Sequence, residues 1–251
     1  MTTADARGTP RPRLTPESVG DRARMLVRAA GGRTLTERES KVILALYGIR
    51  ITREILAPNF EDAVEAAQKI GYPVAVKAES PELLHRSDAG AVMLNIADEA
   101  GLKRGFKRAL ANAWATVPWD SIHGILVQEM IAPGTEVIIG MSNDAQYGPV
   151  IACGLGGIFV ETLKDVQLML LPLTEREARS ALARLRGYPI LQGRRGAKPA
   201  DLDALVDVLL RFSELCHDLR DDVREIDINP LIVAEAGGGA CAVDCLIVPA
   251  P

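Results

Sequence analysis

The sequence predicts an α+β fold, and three observations carry that expectation. Capped helical periods are interspersed with short strand-like runs, those runs fall in pairs that suit antiparallel neighbours, and no internal repeat or low-complexity tract interrupts the 251 residues. At about 150 residues per domain, the chain carries one large domain or two small ones around a shared cleft.

Residues 1 to about 15 are rich in Thr, Pro and Arg without apolar periodicity, and read as a loosely docked arm. A first helix is predicted over Val19–Ala30, closed by Gly31 and Gly32. Thr36 and Glu39 form a T-x-x-E capping box for a second helix, which carries Val42, Ile43, Leu46 and Tyr47 and stops at Gly48. The β-branched stretch Ile49–Leu56 suits a strand, and Asn59 caps a helix Phe60–Ile70 that ends at Gly71. Strands Val74–Ala78 and Gly90–Ile96 follow, then a helix Glu99–Ala115 with Leu102, Phe106 and Leu110 on one face. Ile122–Met130 and Glu136–Ser142 read as strands joined at Ala132-Pro133-Gly134, which favours a hairpin or tight loop. Val150–Cys153 leads into Gly154-Leu155-Gly156-Gly157, and helices are expected at Glu175–Arg186 and Asp201–Leu219. Strands Ile226–Ala234 and Cys241–Val248 flank Gly237-Gly238-Gly239 as a closing hairpin.

Composition narrows the function. With 29 Lys plus Arg against 33 Asp plus Glu the net charge is −4, and aromatics are only 4% of the chain. Neither a polyanion-binding surface nor a base-stacking groove is expected, so no nucleic-acid partner is predicted. The longest greasy run, Leu168–Leu171, is stopped by Pro172, far short of the roughly 20 residues a membrane span needs. Arg7, Arg11 and Arg13 precede no apolar stretch of the kind a secretory signal carries. Cys153, Cys216, Cys241 and Cys245 form no C-x-x-C pair and have no His at zinc-finger spacing. They read as small buried hydrophobes in a protein of the reducing cytoplasm.

The sharpest local pattern is Glu225-Ile226-Asp227-Ile228-Asn229-Pro230, where strand alternation puts Glu225, Asp227 and Asn229 on one face and both isoleucines on the other. If the closing hairpin turns near Ala236 and Gly237, Asn229 lies opposite Asp244, and the paired oxygens suit Mg²⁺, which takes one or two protein oxygens and leaves the rest to water and phosphate. A solvated acidic strand face is the plain alternative. Lys77 ends an apolar strand, where it is either a point charge for phosphate oxygens or a lysine snorkelling to solvent. The polar segment Ser80–Gly90 contains His85 beside Arg86, which reads as a solvated bystander or as a phosphoryl acceptor. Gln128-Glu129 closes one strand and Glu136 opens the next, a place for an adenine edge and ribose hydroxyls or an ordinary polar strand end. Gly154-Leu155-Gly156-Gly157 permits close backbone approach and an anion nest, but lacks the Walker pattern. His123 and His217 read as structural.

In this order, five strings resemble the ATP-grasp domain of the nucleoside-diphosphate-forming acyl-CoA synthetases, on the beta-subunit side of ADP-forming acetate–CoA ligase, with the succinate–CoA ligase beta subunit as a related family. They are Ile70-Gly71-Tyr72-Pro73-Val74-Ala75-Val76-Lys77, the Ser80-to-Asp88 loop, Val127-Gln128-Glu129-Met130, Gly154-Leu155-Gly156-Gly157-Ile158-Phe159-Val160-Glu161, and Glu225-Ile226-Asp227-Ile228-Asn229-Pro230-Leu231. The likeness runs from about Leu35 to Val248. It implies an ATP-grasp fold of two α+β subdomains holding ATP or ADP between them: 1–34 as arm and helix, about 35–120 as the smaller subdomain, about 121–251 as the larger. It further implies Lys77 and Arg86 on the phosphates, Gln128, Glu129 and Ile131 along the adenine, Glu136 at the ribose, and Gly156 and Gly157 near the phosphates. Asn229 and Asp244 would hold Mg²⁺, and His85 matches the family's beta-side phosphohistidine. The implied reaction is carboxylate plus CoA plus ATP to acyl-CoA, ADP and phosphate, reversibly. The family loop reads H-K-[ST]-D-x-G-G-V, whereas Arg86 and Ala91 stand here in place of the Lys and the second Gly. No CoA-binding Rossmann domain is expected within 251 residues, so an alpha-type CoA-binding partner chain is implied. Another ATP-grasp carboxylate ligase and a non-catalytic nucleotide-binding regulatory subunit remain alternative readings.

Overall fold

The computed structural model describes residues 18–83, 88–144, 146–157, 165–193 and 198–251. The expected N-terminal arm, His85 and Arg86 lie outside the described residues. The first half runs α1 (Val19–Ala29), α2 (Glu37–Leu46), β1 (Glu54–Ala57), α3 (Phe60–Ile70), β2 (Val74–Glu79), β3 (Val92–Ile96), α4 (Glu99–Trp114) and β4 (Gly124–Glu129). The second half runs β5 (Thr135–Asp144), β6 (Gly148–Leu155), β7 (Val166–Leu170), α5 (Glu175–Ala183), α6 (Tyr188–Leu191), α7 (Leu202–Leu219), β8 (Val223–Val233), β9 (Ala240–Ala242) and β10 (Cys245–Pro249). Local capping sets most helix starts. The Thr36 hydroxyl accepts the Glu39 N–H at 3.3 Å while the Glu39 carboxylate accepts the Thr36 N–H at 2.9 Å, so two orphan amides are satisfied reciprocally. Asn59 accepts the Asp62 N–H at 2.9 Å, and Asp201 accepts the Ala204 N–H at 3.1 Å.

Two sheets form, each antiparallel in its named pairs. One has four strands in the order β1-β4-β2-β3, and the other runs β10-β8-β5-β6-β7 with β9 also paired to β8. The smaller core lies between one face of the four-stranded sheet and α3 and α4: Val74, Val76, Ala78, Ile125 and Val127 meet Ala63, Ala67, Leu102 and Phe106. The larger core lies under the other sheet, where Ile139, Met141, Ile151, Ile226 and Ile228 share one cluster with Leu205, Leu209, Phe212 and Leu215 of α7. Burying each such side chain contributes about 1.5–3 kcal/mol before entropy is charged against it.

Several expectations are corrected by this packing. Of the hairpin or tight loop expected at Ala132-Pro133-Gly134, the hairpin is not formed: β4 pairs β1 and β2, β5 pairs β6 and β8, and the segment is a loop that carries the chain from one sheet to the other. The subdomain boundaries shift accordingly. Leu35, Ile43, Leu44 and Ile49, expected in the smaller unit, pack into the larger core, while β4, expected in the larger unit, is the second strand of the smaller sheet. The strand expected over Ile49–Leu56 is confined to β1, with Ile51 making only an isolated bridge to Ala242. Strand β7 and the short helix α6 add to the elements that the sequence predicts. Leu168 and Leu170 are exposed on β7 while Met169 is buried, so the run read only as greasy is a half-buried edge strand. The four thiols are free and buried, as expected, and burial pushes Cys153 up to about 12. Among the described residues no helix is long and apolar enough to cross a membrane.

Candidate nucleotide site between the two sheets

Lys77 sits in the middle of the four-stranded sheet, aligned with Leu126 of β4 and Val92 of β3. Its neighbours Val76 and Ala78 point into the smaller core, so alternation turns Lys77 to the other face, toward the larger subdomain. There it is only 3% exposed. Its ammonium donates to Glu37 Oε1 at 2.7 Å and to the Val243 carbonyl at 3.3 Å, and lies 3.7 Å from Asp244 Oδ2. Snorkelling to solvent, the plain reading of this lysine, is thereby overturned.

Around Lys77 is a buried polar cluster assembled from both subdomains. Glu37 opens α2 and is fully buried. Lys41, one turn on and equally buried, donates to Glu37 Oε1 at 2.5 Å, to Glu54 Oε2 at 2.6 Å and to Thr52 Oγ1 at 2.9 Å. Burial alone would lower the Lys41 ammonium; the charges of Glu37 and Glu54 outweigh it and raise it. The Gln128 amide donates to Glu37 at 3.0 Å, Thr52 at 2.9 Å, Glu54 at 3.1 Å and the Val243 carbonyl at 3.1 Å. Two lysines and two glutamates thus balance in charge inside the molecule, the condition under which buried ions are tolerated. Sequence reasoning missed Glu37, Lys41, Thr52 and Glu54. The Glu37-to-Lys41 spacing is visible, but an i,i+4 pair reads first as a solvated helix surface.

The oxygen-bearing strand face forms as expected. Ile228 aligns with Cys245 and Leu231 with Ala242, which places Asn229 opposite Asp244, and the Asn229 N–H donates to the Asp244 carbonyl at 3.2 Å. Ile226 and Ile228 are buried in the core, Glu225 and Asn229 are exposed and Asp227 is half-buried. Burial, with the nearby charges of Glu225 and Asp244, pushes the Asp227 carboxyl up to about 6 against the hydrogen bond from Asn229. Among the described residues no three His, Cys, Asp or Glu side chains group in a way that would hold a metal ion. The donor chemistry of Asn229 and Asp244, an amide and a carboxylate side by side on adjacent chain segments, fits a divalent cation that would draw its remaining ligands from phosphate and water.

The other expected residues fall into four situations. Gln128 is committed to the buried cluster through its amide. Glu129 accepts the Arg53 N–H and its guanidinium, both at 2.8 Å; burial would raise this carboxyl, but those bonds and the Arg53 and Arg50 charges hold it below the usual carboxylate range. Ile131 is half-buried in the segment crossing between the sheets, and Glu136 is exposed at the start of β5. Glu136 lines a hollow of about 330 Å³ with Gly134, Thr135, Leu155, Gly156, Gly157 and Ile190. Two glycines of the Gly154-to-Gly157 run are closely approached by the protein's own atoms. A Cβ on Gly154 would stand 2.6 Å from the Asp165 carbonyl oxygen, and one on Gly156 would stand 3.0 Å from Glu136 Cβ, where the Gly156 N–H donates to the Glu136 carbonyl at 2.7 Å.

Two sheets with a buried strand lysine and a neighbouring amide and carboxylate between them agree with the family comparison, in which an ATP-grasp domain matches residues 26–248. The chain belongs to the ATP-grasp family. Its relatives include the acetate–CoA ligase (ADP-forming) II subunit beta of Pyrococcus furiosus, 46% identical over 222 residues, covering 88% of this chain and 94% of that one. The acetate–CoA ligase (ADP-forming) I of Archaeoglobus fulgidus is 43% identical over 208 residues, 83% of this chain but 30% of that protein. Among solved structures, the dinucleotide-forming acetyl-coenzyme A synthetase 1 of Ca. Korarchaeum cryptofilum, in complex with coenzyme A and Ca-AMPCP, superposes with a TM-score of 0.85 at 36% identity, covering 91% of this chain and 100% of that one. Another structure of that synthetase holds coenzyme A and Mg-AMPPCP with its phosphohistidine segment pointing towards the nucleotide-binding site; it superposes at 0.78, with 35% identity and the same coverage.

Proposed function

We propose that this chain is the nucleotide-binding subunit of an ADP-forming acyl-CoA synthetase, converting a carboxylate, CoA and ATP to acyl-CoA, ADP and phosphate, reversibly. The observation that carries the reading is the 46% identity to a ligase beta subunit across 94% of that subunit, met by a cleft whose lysine and oxygen pair suit a magnesium nucleotide. Lys77 supplies a fixed cation for phosphate oxygens, and Asn229 and Asp244 hold Mg²⁺, which when bound neutralises the oxygens of the phosphate chain. Ile131 and the backbone around Gln128 and Glu129 border the adenine, Glu136 accepts from the ribose hydroxyls, and Gly156 and Gly157 give room for the phosphates beside it. Arg86 adds a second cation, and His85 takes up and releases the phosphoryl group. A transferring phosphoryl group needs in-line positioning and charge compensation more than covalent help, which is what this residue set provides.

A separate CoA-binding chain completes the enzyme. Supporting this, the Archaeoglobus ligase contains the matched region as only 30% of its length, whereas the Pyrococcus relative is a subunit of the present size.

The test uses the chain with its CoA-binding partner and ATP. It is expected to acquire an acid-labile, base-stable phosphate that His85→Ala abolishes; labelling that persists in the variant removes His85 as carrier. Alone, the chain is expected to bind Mg·ATP yet to release no ADP when CoA and carboxylic acids are supplied. Robust turnover without a partner would overturn the two-subunit reading.

A further inference from the structure

We infer that Glu37 is a positioning residue for Lys77: a carboxylate from one subdomain that fixes where the phosphate-facing ammonium of the other stands. This rests on the nucleotide-site reading above and adds a residue to it. Lys77 occupies a strand whose six residues are all buried, so its ammonium cannot be placed by water. Its polar neighbours in the structure include Glu37 Oε1 at 2.7 Å, the Val243 carbonyl at 3.3 Å and Asp244 Oδ2 at 3.7 Å. Glu37 and Asp244 are both carboxylates, and the ammonium lies nearer to Glu37. The 2.7 Å bond to Glu37 fixes the Lys77 ammonium at 3.7 Å from Asp244 Oδ2.

Glu37 is itself held rigidly. It is the first residue of a helix locked by the reciprocal Thr36 and Glu39 cap, and the same helix anchors Ile43 and Leu44 in the larger core. Its Oε1 also receives Lys41 at 2.5 Å and the Gln128 amide at 3.0 Å. Lys41 places a second cation on the same Glu37 oxygen. One carboxylate thus takes part both in the contact between the subdomains and in the placement of the lysine. Losing it would let Lys77 move onto Asp244, weakening the cation and the nucleotide together.

The experiment is a double-mutant cycle on the full chain, with Glu37→Gln, Lys77→Met and the pair, read as the affinity for Mg²⁺ with AMPPCP by calorimetry and accompanied by thermal melts. Glu37→Gln is expected to weaken binding about tenfold in the native background and less than twofold when Lys77 is already Met. A role in stability alone would lower the melting temperature and leave affinity unmoved, or weaken it equally in both backgrounds; either result overturns the inference. Should Glu37→Gln not fold, Glu37→Asp keeps the charge but withdraws it by one methylene. It is expected to weaken binding about threefold in the Lys77 background only, and native affinity would again overturn the proposal. Absence of binding by the unsubstituted chain would instead overturn the nucleotide-site reading beneath it.

Discussion

Strands β2 and β8 both bring charged groups to the cleft, but in opposite surroundings. Along β8 the buried Ile226, Ile228, Leu231 and Val233 alternate with the less buried Glu225, Asp227 and Asn229 until the Asn229-Pro230 step, so its polar face borders the cleft and solvent. Along β2 every residue is buried: Val74, Val76 and Ala78 by α3 and α4, Lys77 by the larger subdomain. On β8 charge is tolerated where water reaches it, as at Glu225, while partial burial, added to the charges of Glu225 and Asp244, shows as a raised Asp227. On β2 charge is tolerated because Glu37 meets it at 2.7 Å, and Lys41 and Glu54 complete the balance. A period of two suffices to read the first strand. The second is intelligible only with partners 40 and 166 residues away in the chain.

The largest test of that contrast is Lys41→Met, which leaves Glu37 and Glu54 buried with one cation fewer. It is expected to cost about 3–5 kcal/mol in urea unfolding. Arg179→Met, which breaks a 2.6 Å surface pair with Asp203, is expected to leave the midpoint where it is. Equal effects would mean that the cluster is as solvated as the surface.

On β8 the two faces can be separated by neighbours. Ile228→Ala is expected to destabilise the protein by about 2–5 kcal/mol through the cavity it opens. Asn229→Ala is expected to shift metal-free stability by no more than about 0.5 kcal/mol while removing much of the rise in melting temperature that Mg·ATP confers. A large apo cost at Asn229 would make that face structural rather than ligand-binding.

A last effect concerns pH. Because Asp227 ionises near 6 in the folded chain against an ordinary 3.8, its contribution to stability is complete below about pH 4 and is lost as pH rises through 6. With chelator present, Asp227→Asn is therefore expected to stabilise the protein above pH 6 by about 1–3 kcal/mol, with the difference from wild type vanishing near pH 4. A difference constant across that range would place its cause outside the ionisation.

Local rules were enough for the helices that carry their own caps: Ser, Thr, Asn and Asp side chains mark the starts of α1, α2, α3 and α7. They were also enough for the pairing of Asn229 with Asp244, because strand period and hairpin centre together determine register. Resemblance of ordered strings supplied the family, and with it the expected roles of Lys77 and Glu136. What the residues by themselves did not determine is which sheet a strand joins. A turn such as Ala132-Pro133-Gly134 has the same chemistry whether it closes a hairpin or passes from one sheet to another, and only long-range pairing decides. Nor did they determine which charges are buried. Glu37 and Lys41 look like a surface pair until the smaller sheet is laid across them, because burial belongs to the assembled subdomains and desolvation acts on the whole cluster at once.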